Sequence, residues 1–461
     1  MVGQSGWVWD VFLTTPRMST YTLALAIQDF QALQADERMK IWAMSEYVEA
    51  GLADYAAVVG PQCLDSLEQI YGVKYGLEKM DMVHVNNFQS AMENWGLILY
   101  DFDYLLYDPS KPDPEQDRMF DVVETVAHEL AHQWFGNLVT MDWWDQLWLN
   151  EGFATYVSHV VVQAVEPGIH SWERFVAERM MYVMKADSRP SSWALSGPVT
   201  STDDFDRKFG LISYYKGGAV IRMVESFLGV QTLNKALNSY LRDMSYQSAL
   251  EEDLFIHLEA AGLEDGVWPQ AGVEDLTSAM KTWTQQAGLP LVTVSRKSEE
   301  MLEISQSWYR NSDTSSTSQT WAIPITWRDL NTTDLTDWDD TRPDLWLTDT
   351  SAEVAVSAAS LPLLNIKAVG YYRVNYDNQI WEELGNLLMR DHQLVHPLNR
   401  AQIICDVAHL SSHGALEEAT AQHVLQYYKS EQDFAPVRAY AECVGAADEE
   451  DDHVDRRFRR K

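Results

Sequence analysis

The sequence predicts a multidomain α+β protein: a mainly helical domain, then a small β-sandwich, then the start of a second helical domain. Three observations carry this. The chain is 461 residues long and 46% hydrophobic, too long for one ordinary domain and rich enough in apolar residues to build several cores. From Met39 to Gln286 apolar residues recur mainly at three- and four-residue spacing, the period of an amphipathic helix. At Ala287-Gly288-Leu289-Pro290 the pattern breaks into short alternating runs, and after Asp377 the helical period returns.

Taken in order, residues 1–33 read as strands, with Thr15-Pro16 turning the chain ahead of a β-prone run from Tyr21 to Ile27. Residues 34–288 form the helical domain. Its helices are read at Cys63–Ile70, Val122–Phe135, Gly217–Leu228 and Leu254–Ala261, with short strands at Met82–Val85 and Leu97–Tyr100. Residues 289–377 form the sandwich, through Leu291–Val294, Trp321–Trp327 and Tyr371–Asn375. Residues 378–447 return to helices, at Trp381–Met389, Arg400–Leu410 and Glu417–Tyr428. Residues 448–461 are a charged tail, acidic from Asp448 to Asp452 and basic from Arg456 to Lys461, the composition of a solvated segment.

Charge narrows the function classes. Sixty-nine acidic against 34 basic residues give a net charge of −35. A nucleic-acid binder needs a basic face, so that class is excluded. The acidity reads as a solubilising surface, although it also favours cationic peptides. Three widely spaced cysteines, Cys63, Cys405 and Cys443, offer no disulfide framework and no zinc-ribbon spacing, and are expected as buried free thiols. The opening residues lack the pattern of a signal peptide, and no run reaches the ~18 apolar residues of a membrane span. A lone glycosylation sequon, Asn331-Thr332-Thr333, says little about secretion.

The chemical centre is His128-Glu129-Leu130-Ala131-His132, inside an apolar helical run. Residues four apart share a helix face, so both imidazoles can reach one ion, while Glu129 stands one step round, placed for a general base. Alone the pattern also fits two ordinary histidines at helical spacing. Eighteen residues lie between His132 and Glu151, which sits in Trp148-Leu149-Asn150-Glu151-Gly152-Phe153, on a second predicted helix. Flanking Trp148, Leu149 and Phe153 would bury that carboxylate, and a buried carboxylate needs a compensating cation. Two histidines and one glutamate leave the fourth position of a tetrahedral zinc ion open, the arrangement of a catalytic site.

Several stretches, spread in order over nearly the whole chain, resemble the gluzincin aminopeptidases of the aminopeptidase N type. They are Ala91-Met92-Glu93-Asn94-Trp95-Gly96, His128–Asn137, Trp148–Tyr156, Ser213-Tyr214-Tyr215-Lys216-Gly217, Gly370–Asp377 and the run opening at Arg400. The resemblance implies a thermolysin-like zinc catalytic domain over 34–288, with one Zn2+ per chain held by His128, His132 and Glu151. It implies that Glu93 binds the free α-amino group of a peptide substrate, with Ala91 and Met92 beside it. A fixed anion there selects a charged N-terminus over an internal bond. Glu129 is implied as general base and Tyr214 as hydrogen-bond donor to the oxyanion; the family pattern of Tyr, any residue, Lys, Gly selects Tyr214 over Tyr215. It leaves a homodimer of a full-length protein open, and leans to the extracellular side of the plasma membrane, with the cytoplasm as alternative.

Three positions depart from the family pattern. Ser90 replaces a glycine in a loop that looks one residue short, Asp101 stands where a cation is usual, and Gln146, beside Asp145, stands where an aspartate could support the metal. Residues 1–33 resemble only the last strands of the family's N-terminal β-domain, and the helical end stops after a few helices. The chain is therefore expected to be a fragment or aberrant product, weakly active or inactive. Three competing readings stand beside the aminopeptidase: a receptor-like relative with a lapsed site, an endopeptidase, which Glu93 opposes, and an epoxide hydrolase sharing the zinc motifs.

Overall fold

The structure is a computed structural model that describes residues 10–88, 90–114, 116–310, 319–332 and 337–445. The charged tail 448–461, the first nine residues and the last residue of the sequon lie outside the described residues.

Strands β1 (Gln31–Gln34) and β2 (Met39–Ala43) pair antiparallel, and helix α1 (Asp54–Tyr71) follows. Then come β3 (Met80–His84), β4 (Ala91–Met92) and β5 (Leu97–Tyr100). The sheet order is β1-β2-β3-β5-β4, so β4 lies at an edge, antiparallel to β5. Among the further helices of this part are α2 (Asp117–Ala131), α3 (Trp148–Val165), α4 (Gly217–Leu228) and α5 (Glu251–Asp265). Helix α3 is buried along nearly all of its length, as a helix apolar all round must be.

The expected strand over Tyr21–Ile27 is absent. Thr20–Thr22 form a 3-10 turn, and residues 23–30 have no regular structure, with Leu23, Leu25 and Ile27 exposed. A β-prone run makes a strand only where a neighbour takes its backbone hydrogen bonds, and among the described residues none pairs with it. The turn instead braces the site loop: the Thr22 carbonyl accepts from the Trp95 N–H at 3.1 Å.

After residue 288, strands β6 (Leu289–Ser298), β7 (Met301–Tyr309), β8 (Ser351–Ala355) and β9 (Arg373–Tyr376) form a sheet in the order β8-β7-β6-β9. Two small two-stranded sheets accompany it, Ile323–Ile325 with Leu345–Leu347 and Trp327–Asp329 with Pro362–Leu364. Helices α6 (Asn378–Asp391), α7 (Pro397–Ser412) and α8 (Phe434–Tyr440) follow, with a shorter helix Glu418–Leu425 between the last two and a π turn Ala441–Gly445 after α8.

Two buried ion pairs join these parts. Lys216 donates to Asp187 at 3.0 Å and to the Gly288 carbonyl at 2.9 Å. The same carboxylate accepts from the Gly288 N–H at 3.0 Å and the Tyr371 hydroxyl at 3.1 Å. Further on, Arg373 of β9 pairs with Asp406 of α7 at 2.9 Å.

The cysteines correct the sequence reading. Cys405 and Cys443 form a disulfide across a Cα separation of 5.2 Å, and Cys63 alone is a buried free thiol. The two partners are 38 residues apart in sequence, and the packing of α8 on α7 that joins them leaves no mark in cysteine spacing.

Candidate metal centre and substrate cleft

Helix α2 carries His128, Glu129 and His132 on one buried stretch, because Val122, Val123, Val126, Ala127 and Leu130 drive it inward. The packed neighbour α3 brings Glu151. His128 Nε2 lies 3.3 Å and His132 Nε2 3.1 Å from Glu151 Oε2, and the two ring nitrogens are 3.1 Å apart. Ligands at the ~2.0–2.1 Å of zinc–nitrogen and zinc–oxygen bonds in a tetrahedron stand roughly 3.3–3.4 Å from one another. Three donors of the right type thus occupy three corners of one coordination shell, and the residues present fit zinc.

The protonation pattern fits as well. His132 Nδ1 lies 2.9 Å from the Phe135 carbonyl. A carbonyl only accepts, so Nδ1 carries the proton and Nε2 keeps its lone pair for a ligand. Burial lowers the pKa of His128, which favours the neutral imidazole that a metal requires.

Glu93 and Glu129 each bring a carboxylate oxygen to within 4.8 Å of a His132 ring nitrogen and of one another. Glu93 is fixed through its backbone: Gln133 and Asn137, just beyond His132, donate to its carbonyl at 3.2 and 2.9 Å. Gln133 also donates to the Glu129 carbonyl at 3.1 Å. Ala91 and Met92 form the edge strand β4 beside it.

Tyr214 sits on a π-helical turn, Ile212–Lys216, ahead of α4. Its ring lies parallel to that of His128, 6.0 Å between centroids. The neighbouring Tyr215 packs under the Arg179 guanidinium, 5.5 Å from its ring. Gly152 and Gly217 make this closeness attainable: a Cβ on Gly152 would lie 2.9 Å from the Gly217 Cα. Two glycines therefore let α3 and α4 touch backbone to backbone, one residue after Glu151 and three after Tyr214.

Each departure from the family pattern has a local account. Ser90 does not take a left-handed conformation; Asn87 does, at φ 57°, and asparagine tolerates it. The Ser90 carbonyl accepts from the Asp101 N–H at 2.8 Å and extends the β4–β5 ladder, so no strain at Ser90 displaces that edge. Asp101 caps the short helix Phe102–Leu105. Gln146 accepts from the Glu251 N–H at 3.3 Å and so supports the start of α5.

A cleft opens beside the triad, lined by Ser90, Ala91, Glu124, Thr125, His128 and Tyr214 among others. The sequence reading missed Glu124, although it precedes His128 by one helical turn, a spacing that puts both on one face. His159 is satisfied, its Nδ1 3.0 Å from the Ser171 hydroxyl. His84 is buried among the rings of Phe30, Tyr47 and Phe102, and neither of its ring nitrogens has a hydrogen-bond partner among the described residues.

Residues 55–283 match the peptidase family M1 domain, and residues 361–459 match the ERAP1-like C-terminal domain. The chain is 36% identical to human aminopeptidase N over 424 residues, 88% of this chain and 42% of that protein. It is 32% identical to human aminopeptidase Q, across 93% of this chain and 44% of that one. A membrane alanyl aminopeptidase of Manduca sexta is 32% identical, across 94% and 44%. The chain thus spans less than half the length of the curated relatives it matches.

Proposed function

The chain belongs to the peptidase M1 family, and on that premise we propose that it is a zinc-dependent aminopeptidase, a hydrolase that releases single residues from peptides with a free N-terminus. The observation that carries this reading is the convergence of His128, His132 and Glu151 on one point with the Glu93 carboxylate alongside.

His128, His132 and Glu151 would hold one zinc ion per chain, whose contribution is to acidify water and polarise the scissile carbonyl. The chain's own residues do the rest. Glu93 pairs with the substrate ammonium and so fixes which peptide bond lies at the centre. The β4 edge at Ala91 and Met92 offers backbone groups to an extended peptide, as sheet edges do. Glu129 accepts the proton of the attacking water and returns it to the departing amine nitrogen. Tyr214 O–H donates to the oxyanion as the carbonyl becomes tetrahedral.

The test pairs metal content with specificity. His132→Ala removes one of three protein ligands, and zinc per chain should fall sharply on dialysis; full occupancy in that variant means the ligand set is wrong. Alanyl-anilide should be cleaved and its N-acetylated form should not, since acetylation removes the charge Glu93 reads. Equal cleavage of both points to an endopeptidase.

We also place the protein on the extracellular side of the plasma membrane. The Cys405–Cys443 disulfide supports an oxidising compartment, and one relative is named a membrane alanyl aminopeptidase. No helix among the described residues is long and apolar enough to cross a membrane. Surface biotinylation of cells expressing the protein separates this placement from the cytoplasmic one.

A further inference from the structure

The two ends of the α2 active face differ in chemistry. Glu93 gathers with Glu129 and His132 toward the C-terminal end. The cleft takes in Ala91 and Glu129 beside that end and runs past His128 to Glu124 and Thr125. Glu124 and His132 are eight residues apart, about 12 Å along the helix axis, with His128 midway between them. An extended dipeptide spans about 7 Å. A substrate with its ammonium at Glu93 and its first carbonyl at the triad therefore directs its second residue into the cleft.

The cleft is not neutral. Its lining includes the carboxylates of Glu124 and Glu129 and, among the described residues, no lysine or arginine. Glu124 is buried, and Ser158 of α3 donates to its Oε1 at 3.2 Å, which holds the carboxylate in place. A buried carboxylate attracts a cation more strongly than one on the surface. We propose that Glu124 makes this cleft a subsite for a basic second residue, so that the preferred substrates carry lysine or arginine immediately after the residue removed. The proposal rests on the aminopeptidase reading for the direction in which the peptide lies.

A purely structural role for Glu124, pinning α2 to α3 through Ser158, makes a different forecast. Glu124→Gln keeps the shape and an oxygen that can accept from Ser158, and removes only the charge. The probes are two uncleavable dipeptide amides with a reduced peptide bond, alanyl-lysine and alanyl-norleucine, titrated calorimetrically into the zinc-loaded chain. Hydrolysis of alanyl-anilide is measured in parallel. The lysine analogue should bind at least ~10-fold more tightly, the scale of one hydrogen bond to a charged group, and Glu124→Gln should bring the two within about twofold. Equal affinities in the unaltered chain, binding of neither probe, or a lysine preference that survives Glu124→Gln overturns the proposal. If Glu124→Gln does not fold, the unaltered chain still decides through its own affinity ratio. Anilide cleavage without lysine preference defeats this inference alone. Lysine preference without anilide cleavage defeats the aminopeptidase reading and with it the assignment to the second residue, leaving only a cation site at Glu124.

Discussion

Tyr214 and Tyr215 are adjacent in sequence, both buried, and differently surrounded. One stacks on the His128 imidazole, while the other lies under Arg179. A π turn offsets neighbouring side chains from the α-helical rotation, which is why such turns recur at functional sites. Tyr214→Phe should retain zinc and lower kcat by about 100–1000-fold, roughly 2.7–4 kcal/mol for the loss of one oxyanion donor. Tyr215→Phe should change kcat little, and steady-state kinetics showing the reverse order would move the role to Tyr215. The clustering of His128, His132 and Glu151 was legible because helical spacing alone aligns the two histidines, and because the apolar neighbours of Glu151 announce its burial. The roles proposed for Glu93 and Tyr214 come only from resemblance; read by themselves they are a loop acid and a packed aromatic. Glu124 shares a helix face with His128, yet a carboxylate at that spacing reads as an ordinary helix acid until α3 and the β4 loop enclose it. The cysteine pair could not be read at all, since the proximity of Cys405 and Cys443 comes from tertiary packing.

At the scale of elements, the long periodic helices were the most legible, and Gly217–Leu228 has the predicted bounds. The strand expected over Tyr21–Ile27 failed because strand propensity describes a surface that fits a neighbour, and no neighbouring strand is present among the described residues. Close helix approach is a property of pairs and equally hidden in one segment. Gly217 illustrates the conflict between local and tertiary preference. An alanine there would gain about 1 kcal/mol of helix propensity, but its Cβ would meet the Gly152 Cα at 2.9 Å, with backbone rather than a flexible side chain in the way. Overpacking of this kind costs about 1–3 kcal/mol, so the tertiary effect wins. Gly217→Ala should lower the thermal midpoint and also kcat, because the displaced helices carry Glu151 and Tyr214. Gly168→Ala provides the control: no atom lies within 4 Å of the added Cβ, and stability should be unchanged or slightly raised. A Gly217→Ala variant with unaltered midpoint and kcat would show that the helices can part without cost to the site.

Across the whole molecule, a chain of buried polar links runs from the site to the C-terminal helices. Lys216, two residues after Tyr214, holds Asp187, which also accepts from Gly288 and Tyr371. Arg373, two residues further, holds Asp406 on α7, and Cys405 beside it is bonded to Cys443. The links differ in kind. Removing one partner of a buried ion pair strands a charge and costs about 3–5 kcal/mol. The disulfide acts mainly on the unfolded chain and contributes about 2–4 kcal/mol by closing its loop. Its loss should therefore weaken the helices it joins without disturbing side chains near the metal, all of which lie on elements before residue 218. Cys443→Ser, with Cys405→Ser to avoid a stray thiol, should bring forward the unfolding of the α7–α8 region in a thermal scan, while zinc per chain and alanyl-anilide cleavage below that transition stay at the level of the unaltered chain. Hydrogen exchange localises the effect, since amides of α7 should lose protection before those of α2 and α3. If zinc content or cleavage falls together with protection in α7, polar links transmit the loosening back, through Arg438 of α8 to Asp117 of α2 or through Asp187 and Lys216, and the site depends on the C-terminal helices for more than their attachment.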